Sequence, residues 1–131
     1  MTELPPTVLA ELPAVPESIG PMRRVARAVA ERCGAPDQVA SDIALAVSEA
    51  ATNVVVHAYR DEPGTLALAA QTVDHEMLFR VIDDGEGLSP RADSPGMGVG
   101  LPLIARLAGR FEVRPGPSGR VTELLMSFPL V

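Results

Sequence analysis

The sequence predicts an α/β (α+β) two-layer sandwich, a mixed, largely antiparallel sheet with three helices on one face. Three observations lead there. Val39, Ile43, Val47, Ala50 and Val54 recur at helical spacing along one long segment. Segments 65–72 and 76–83 have strand character and are joined by a short polar turn at Asp74 and His75. A third helical segment is followed by another pair of strand-like stretches, so hairpins flank that helix and favour antiparallel pairing with helices on one side.

The elements follow in order. Prolines crowd the first sixteen residues, and proline belongs at strand ends and edges, so residues 8–14 read as an edge strand. Ser18 is placed to cap a helix over 21–32, and Gly34 to end it in a left-handed turn. Pro36 suits a first helical position and Asp37 the positive end of the helix dipole, giving a second helix over 36–58. After the two strands comes a Gly/Pro/Ser/Asp-rich loop, 84–96, and then a helix from near Gly98 to Gly109. Segments 111–114 and 120–128 form a terminal hairpin around Pro115-Gly116-Pro117-Ser118-Gly119. In the last strand Thr122, Leu124, Met126 and Phe128 share one face by the two-residue period.

A chain of 131 residues is the size of one domain, residues 1–131, and is long enough to bury a core without staples. Apolar residues at 47% and charged residues at 21% are a globular balance. The net charge of −6, with no basic run, argues against nucleic acid as the main partner. The chain has no Lys, so its fixed positive charge is all Arg. The single Cys33 cannot form an internal disulfide and reads as a small hydrophobe at a helix end. The first twenty residues lack both a basic residue and a long apolar run, and no stretch approaches the ~20 apolar residues of a membrane span. These features point to a cytoplasmic protein without a membrane partner.

Glu49, Asn53 and His57 are spaced by four and stack on one helix face. Such a stripe reads as a solvent face. It reads equally as a site in which the Asn53 amide oxygen meets a divalent cation and Glu49 polarises an attacking hydroxyl. One amide oxygen suffices for Mg²⁺, which keeps waters and takes other oxygens from phosphates. Asp83 ends an apolar strand and is followed by Gly85 and Gly87. That is either an ordinary acidic turn or a carboxylate accepting from an exocyclic amine, with glycines letting a planar base approach the backbone. Gly96, Gly98 and Gly100 precede a helix, where free N–H groups and the helix dipole favour an anion. The spacing is wrong for a dinucleotide fingerprint, and without Lys there is no P-loop. Phosphate charge would then fall to Mg²⁺, backbone N–H groups and Arg91 in the loop, if that arginine is more than a solvated charge. Gly119 and Thr122 lie where the last strand could bring a hydroxyl near the base, although Thr is common in strands anyway.

Taken together and in this order, the motifs resemble the GHKL (Bergerat-fold) ATPases, a superfamily that includes gyrase B subunits, histidine kinase catalytic domains and anti-sigma factor serine kinases. Glu49-x-x-x-Asn53-x-x-x-His57-Ala58-Tyr59 is similar to the family's N box. Asp83-x-Gly85-x-Gly87 is similar to the first glycine box, Gly96-x-Gly98-x-Gly100-Leu101 to the second, and Gly119 with Thr122 to the third. The resemblance is nearest to the anti-sigma kinases of the RsbW and SpoIIAB type. It implies that Asn53 coordinates Mg²⁺, Asp83 reads adenine and the second-box glycines hold the phosphates of ATP. It further implies that Glu49 is the base toward a serine on an anti-sigma-factor antagonist, that a sigma factor is sequestered, and that the chain dimerises. Two departures stand out: the loop between Gly87 and Gly96 is short, and Pro102 follows the second box within the first helical turn.

The leading reading is therefore an ATP-binding serine/threonine protein kinase that acts as an anti-sigma factor. Two alternatives are an ATP-dependent partner switch without phosphotransfer and a detached histidine kinase catalytic domain. For the last, His57 and His75 sit in the wrong context to accept a phosphoryl group. Arg23, Arg24 and Arg27 on the first helix form a candidate docking face, or a plain solvated one.

Overall fold

The computed structural model describes residues 7–58, 64–83, 97–115 and 122–130. Its elements are β1 (Thr7–Pro13), a single 3₁₀ turn (Pro16–Ser18), α1 (Ile19–Arg32), α2 (Asp37–Asn53) and a π-helical turn (Val54–Ala58). They continue with β2 (Thr65–Val73), β3 (Glu76–Asp83), α3 (Met97–Leu107), β4 (Arg110–Pro115) and β5 (Thr122–Pro129). The strands form one sheet in the order β1-β2-β3-β5-β4. Every pairing among them is antiparallel, so the mixed sheet expected from sequence is antiparallel throughout its described strands. β1 and β4 are the edges, and β1 carries a register shift between Val8 and Ala10.

The period of two decides what the sheet buries. Leu66, Leu68 and Ala70 of β2, Met77, Phe79 and Val81 of β3, and Leu124, Met126 and Phe128 of β5 make up the helix-facing side, and all are buried. The Phe79 and Phe128 rings meet edge to face, with centroids 6.3 Å apart. Opposite them lie Met22, Ala26 and Ala30 of α1, Ile43, Val47 and Ala50 of α2, Ile104 of α3 and Ala108 just after it. Alanines dominate the facing helix stripes, which lets the backbones of α1 and α2 approach each other and the sheet.

The other side of the sheet carries a polar row. Arg80 of β3 bonds Gln71 of β2 and pairs with Glu123 of β5 at 3.2 Å. Arg114 of β4 pairs with Glu112 at 2.7 Å and lies 4.0 Å from Glu123. Leu125 and Ala69 lie on this same side and are nevertheless buried.

Several boundaries differ from the sequence expectation for physical reasons. Ser18 stands directly before α1 but makes no side-chain cap bond, because the preceding 3₁₀ turn already holds it in the helical region at φ −84, ψ −16. Pro36 is the residue before α2 instead of its first member, with an extended ψ of 151. Gly34 does adopt the left-handed conformation, at φ +83. α3 starts at Met97, so Pro102 is its sixth residue and not part of its first turn. Lacking an N–H, Pro102 leaves the Gly98 carbonyl without its i+4 donor. The stretch Asp37–Val56 has a mean hydropathy of 1.4 and is, by length and composition, long enough to cross a membrane, contrary to the sequence expectation. Half of it is buried within this fold.

Arg27 ties the two long helices together. It bonds Glu31 at 2.8 Å on its own helix, and Asp37 at 2.9 Å and Ser41 at 3.1 Å on α2. Of the three arginines expected on a docking face, this one is committed to the α1–α2 junction, while Arg23 and Arg24 are exposed.

Phe128→Ala would open a cavity in the layer and remove the ring contact with Phe79. It is expected to cost about 3–5 kcal/mol, read as a lowered urea midpoint with an unchanged denaturant slope. A loss below about 1 kcal/mol would show that the layer does not depend on this pair.

Candidate functional site

Two polar side chains interrupt the apolar layer, Asn53 and Asp83, at 5% and 0% exposure. Asp83 follows Met77, Phe79 and Val81 on the helix-facing side of β3, the fourth position of a row whose other three members are core. It stands at the end of that strand between Leu66 on β2 and Thr122 on β5. A carboxylate at such a position is costly unless something bonds it.

Asn53 is the last residue of α2. The helical period places it on the stripe of Ala46 and Ala50, both fully buried. The solvent-face reading of the Glu49/Asn53/His57 stripe therefore does not hold for Asn53. Glu49, one turn earlier, is half-buried. Among the described residues nothing accepts a hydrogen bond from Asn53 Nδ2. His57 falls within the π-helical turn that follows, so the α-helical i+4 spacing joins Glu49 to Asn53 but does not continue to His57.

Topology brings these groups to one end of the sheet. α1 and α2 pack side by side, and Cys33 at the end of α1 lines an apolar cleft of about 260 Å³ with Thr72 and Met77. α2 sets out from that end. Its 17 residues span about 25 Å at ~1.5 Å per residue. The 8 residues of β3 span about 27 Å at ~3.4 Å per residue. The two lengths match, so the Asn53 end of α2 reaches the end of the sheet that holds Asp83. α2 also packs on α3, β3 and β5.

Gly98, Gly100 and Leu101 lie in the opening turns of α3. Gly98 and Gly100 are thus inside the helix, where the first N–H groups lack intrahelical acceptors and favour an anion. Thr122 opens β5 directly across from Asp83. Gly85, Gly87, Arg91, Gly96 and Gly119 lie outside the described residues, as does the loop 84–96.

A feature that sequence reading passed over is Thr52, whose hydroxyl donates to the Ser48 carbonyl at 2.8 Å in the turn that ends beside Asn53. The i,i+4 Ser/Thr pair is its only sequence signal. No group of three or more His, Cys, Asp or Glu side chains suited to a metal ion occurs among the described residues. A metal at this site would instead take oxygen from a single amide, with the rest from a phosphorylated ligand and water. Mg²⁺ fits such a donor set.

The model of the histidine kinase-like ATPase domain matches residues 12–128. Serine-protein kinase RsbW of Halalkalibacterium halodurans is 34% identical over 125 residues, covering 84% of this chain and 76% of that protein. An anti-sigma F factor of Caldanaerobacter subterraneus subsp. tengcongensis is 28% identical over 116 residues, covering 80% of each chain. An anti-sigma F factor of Clostridium acetobutylicum is 27% identical over 96 residues, covering 65% of this chain and 66% of its own length. The matched region runs from β1 to β5 and includes the helix that ends in Asn53 and the strand that ends in Asp83, and the chain belongs to the histidine kinase-like ATPase domain family.

Proposed function

We propose that this chain is a cytoplasmic ATP-dependent protein serine/threonine kinase that acts as an anti-sigma factor. On this reading it phosphorylates a serine on an antagonist protein and sequesters a sigma factor. The observation that carries the proposal is the pair of polar side chains, Asn53 and Asp83, kept inside the apolar layer at matching ends of α2 and β3. The relatives named as serine-protein kinase and anti-sigma F factor support the same reading.

Each residue has a task in it. The Asp83 carboxylate accepts from the adenine amine, with Gly85 and Gly87 leaving room for the ring and Thr122 across the strand pair. Gly96, Gly98, Gly100 and Leu101 hold the phosphates, whose charge meets backbone N–H groups and Arg91. The Asn53 amide oxygen would hold Mg²⁺, which on binding neutralises phosphate charge. His57 belongs to the turn beside the nucleotide. Glu49, half-buried one turn before Asn53, takes the proton from the partner's serine hydroxyl as that oxygen bonds to the γ-phosphorus. The bond from the γ-phosphorus to its bridging oxygen breaks, and ADP departs. Position of the base, more than its basicity, supplies the rate. A second copy of the chain completes the proposed set of partners.

Three substitutions test these assignments. Asp83→Asn removes the charged acceptor, so ATP affinity should fall about 10- to 100-fold, as expected for a hydrogen bond to a charged group. GTP affinity should be nearly unchanged, and an equal loss for both nucleotides would contradict the adenine role. Asn53→Ala should abolish the Mg²⁺-dependent part of ATP binding in calorimetry, and unchanged affinity would remove the metal assignment. Glu49→Gln should bind ATP normally while losing about 10²–10⁴-fold in phosphotransfer. The substrate for that assay comes from capture with the wild-type protein and labelled ATP. Label on an acid-stable serine phosphate supports the kinase. Capture without label would leave a partner switch, and acid-labile phosphohistidine a histidine kinase domain.

A further inference from the structure

We propose that Thr52 is a positioning residue for Asn53, acting through the winding of the helix and not through contact with the nucleotide. The inference rests on the reading of Asn53 as the group that meets Mg²⁺. α-Helical winding stops at Asn53, and the next five residues, Val54–Ala58, are π-helical. Single π turns of this kind recur at functional sites, because widening one turn re-aims the side chains beside it. At the junction the Val54 N–H is shared between the Ala50 and Ala51 carbonyls. Asn53 is thus the pivot between two windings.

Thr52 is tied into the turn that ends one residue earlier. Its Oγ1 donates to the Ser48 carbonyl at 2.8 Å. That carbonyl is the i−4 acceptor for the Thr52 backbone N–H, and a hydroxyl added to it tilts the carbonyl and bends the helix. The bond lies in the turn just before the change of winding begins.

Asn53 has little else to set its direction. Nothing among the described residues accepts from its Nδ2. Its sequence neighbours Ala50, Ala51 and Val54 are buried and offer only methyl groups. Where a side chain points is then set by the backbone that carries it, and among the described residues the Thr52–Ser48 bond is a side-chain bond made on that turn. Orientation matters, because a liganding group must be held within about 0.5 Å of its productive position.

The test compares ATP affinity with Mg²⁺ and with a chelator in the full chain, for wild type, Thr52→Val, Thr52→Ser and Asn53→Ala. Valine keeps the branched shape and removes the hydroxyl, while serine keeps the hydroxyl. The Mg²⁺-dependent gain in affinity should fall about three- to tenfold in Thr52→Val, the worth of one hydrogen bond. The chelator arm should stay at the wild-type value, and Thr52→Ser should recover most of the gain. Equal weakening in both arms would make Thr52 merely structural and overturn the inference. So would a wild-type gain in Thr52→Val while Asn53→Ala loses it. If Asn53→Ala itself keeps the gain, the metal reading fails, and the positioning role fails with it.

Discussion

The apolar contact between the sheet and α2 is the constraint on which the rest of the molecule depends. Alternation along β2, β3 and β5 assembles one oily face, and the alanine-rich stripe of α2 lies against it. Small residues on the helix permit the close approach, and large ones on the strands fill the space, among them Phe79 and Phe128 in edge-to-face contact. This layer fixes both the direction of α2 and the end of the sheet it reaches. It also makes any polar group within it expensive, which is why Asn53 and Asp83 carry information that an exposed pair would not.

The same layer supplies chemistry. A buried carboxylate or amide interacts more strongly with a ligand than it would in water, because the local dielectric is low. α3 packs on α2, and in the proposed reading the N–H groups of its first turn serve the same ligand as the two buried polar side chains. The absence of Lys in the chain sharpens the requirement. In the proposed site, phosphate charge would be met by helix N–H groups, arginine and a divalent cation instead of an ammonium group. The switch from α- to π-helical winding after Asn53 shows that the backbone is shaped at this place and not simply continued.

Much of this was legible in the sequence because it is local. The β2–β3 hairpin follows from a period of two interrupted at Asp74, which takes a left-handed φ of 55, and Gly34 ends α1 as its lack of a Cβ permits. Asp83 could be noticed as a carboxylate ending an apolar strand. The burial of Asn53 could not, since a polar residue every fourth position describes a wet face as well as a dry one. The π turn was hidden for a related reason, as polar spacing of four runs on through His57 regardless of winding. Ser18 looked like a cap because its neighbours do not reveal the 3₁₀ turn that pre-empts it. The row linking Arg80, Glu123 and Arg114 depends on which strands become neighbours, information that no local window contains.

The central claim is that nucleotide binds at the Asn53–Asp83 end of the layer. It is tested most directly by titrating Mg-ATP into isotope-labelled protein and following amide signals by NMR. The account predicts that the Asn53 side-chain amide and the backbone amides of Asp83, Thr122, Gly98 and Gly100 shift, while those of Cys33, Thr72 and Met77 at the far end stay in place. Shifts concentrated around Cys33, Thr72 and Met77, with Asn53 and Asp83 unmoved, would contradict it.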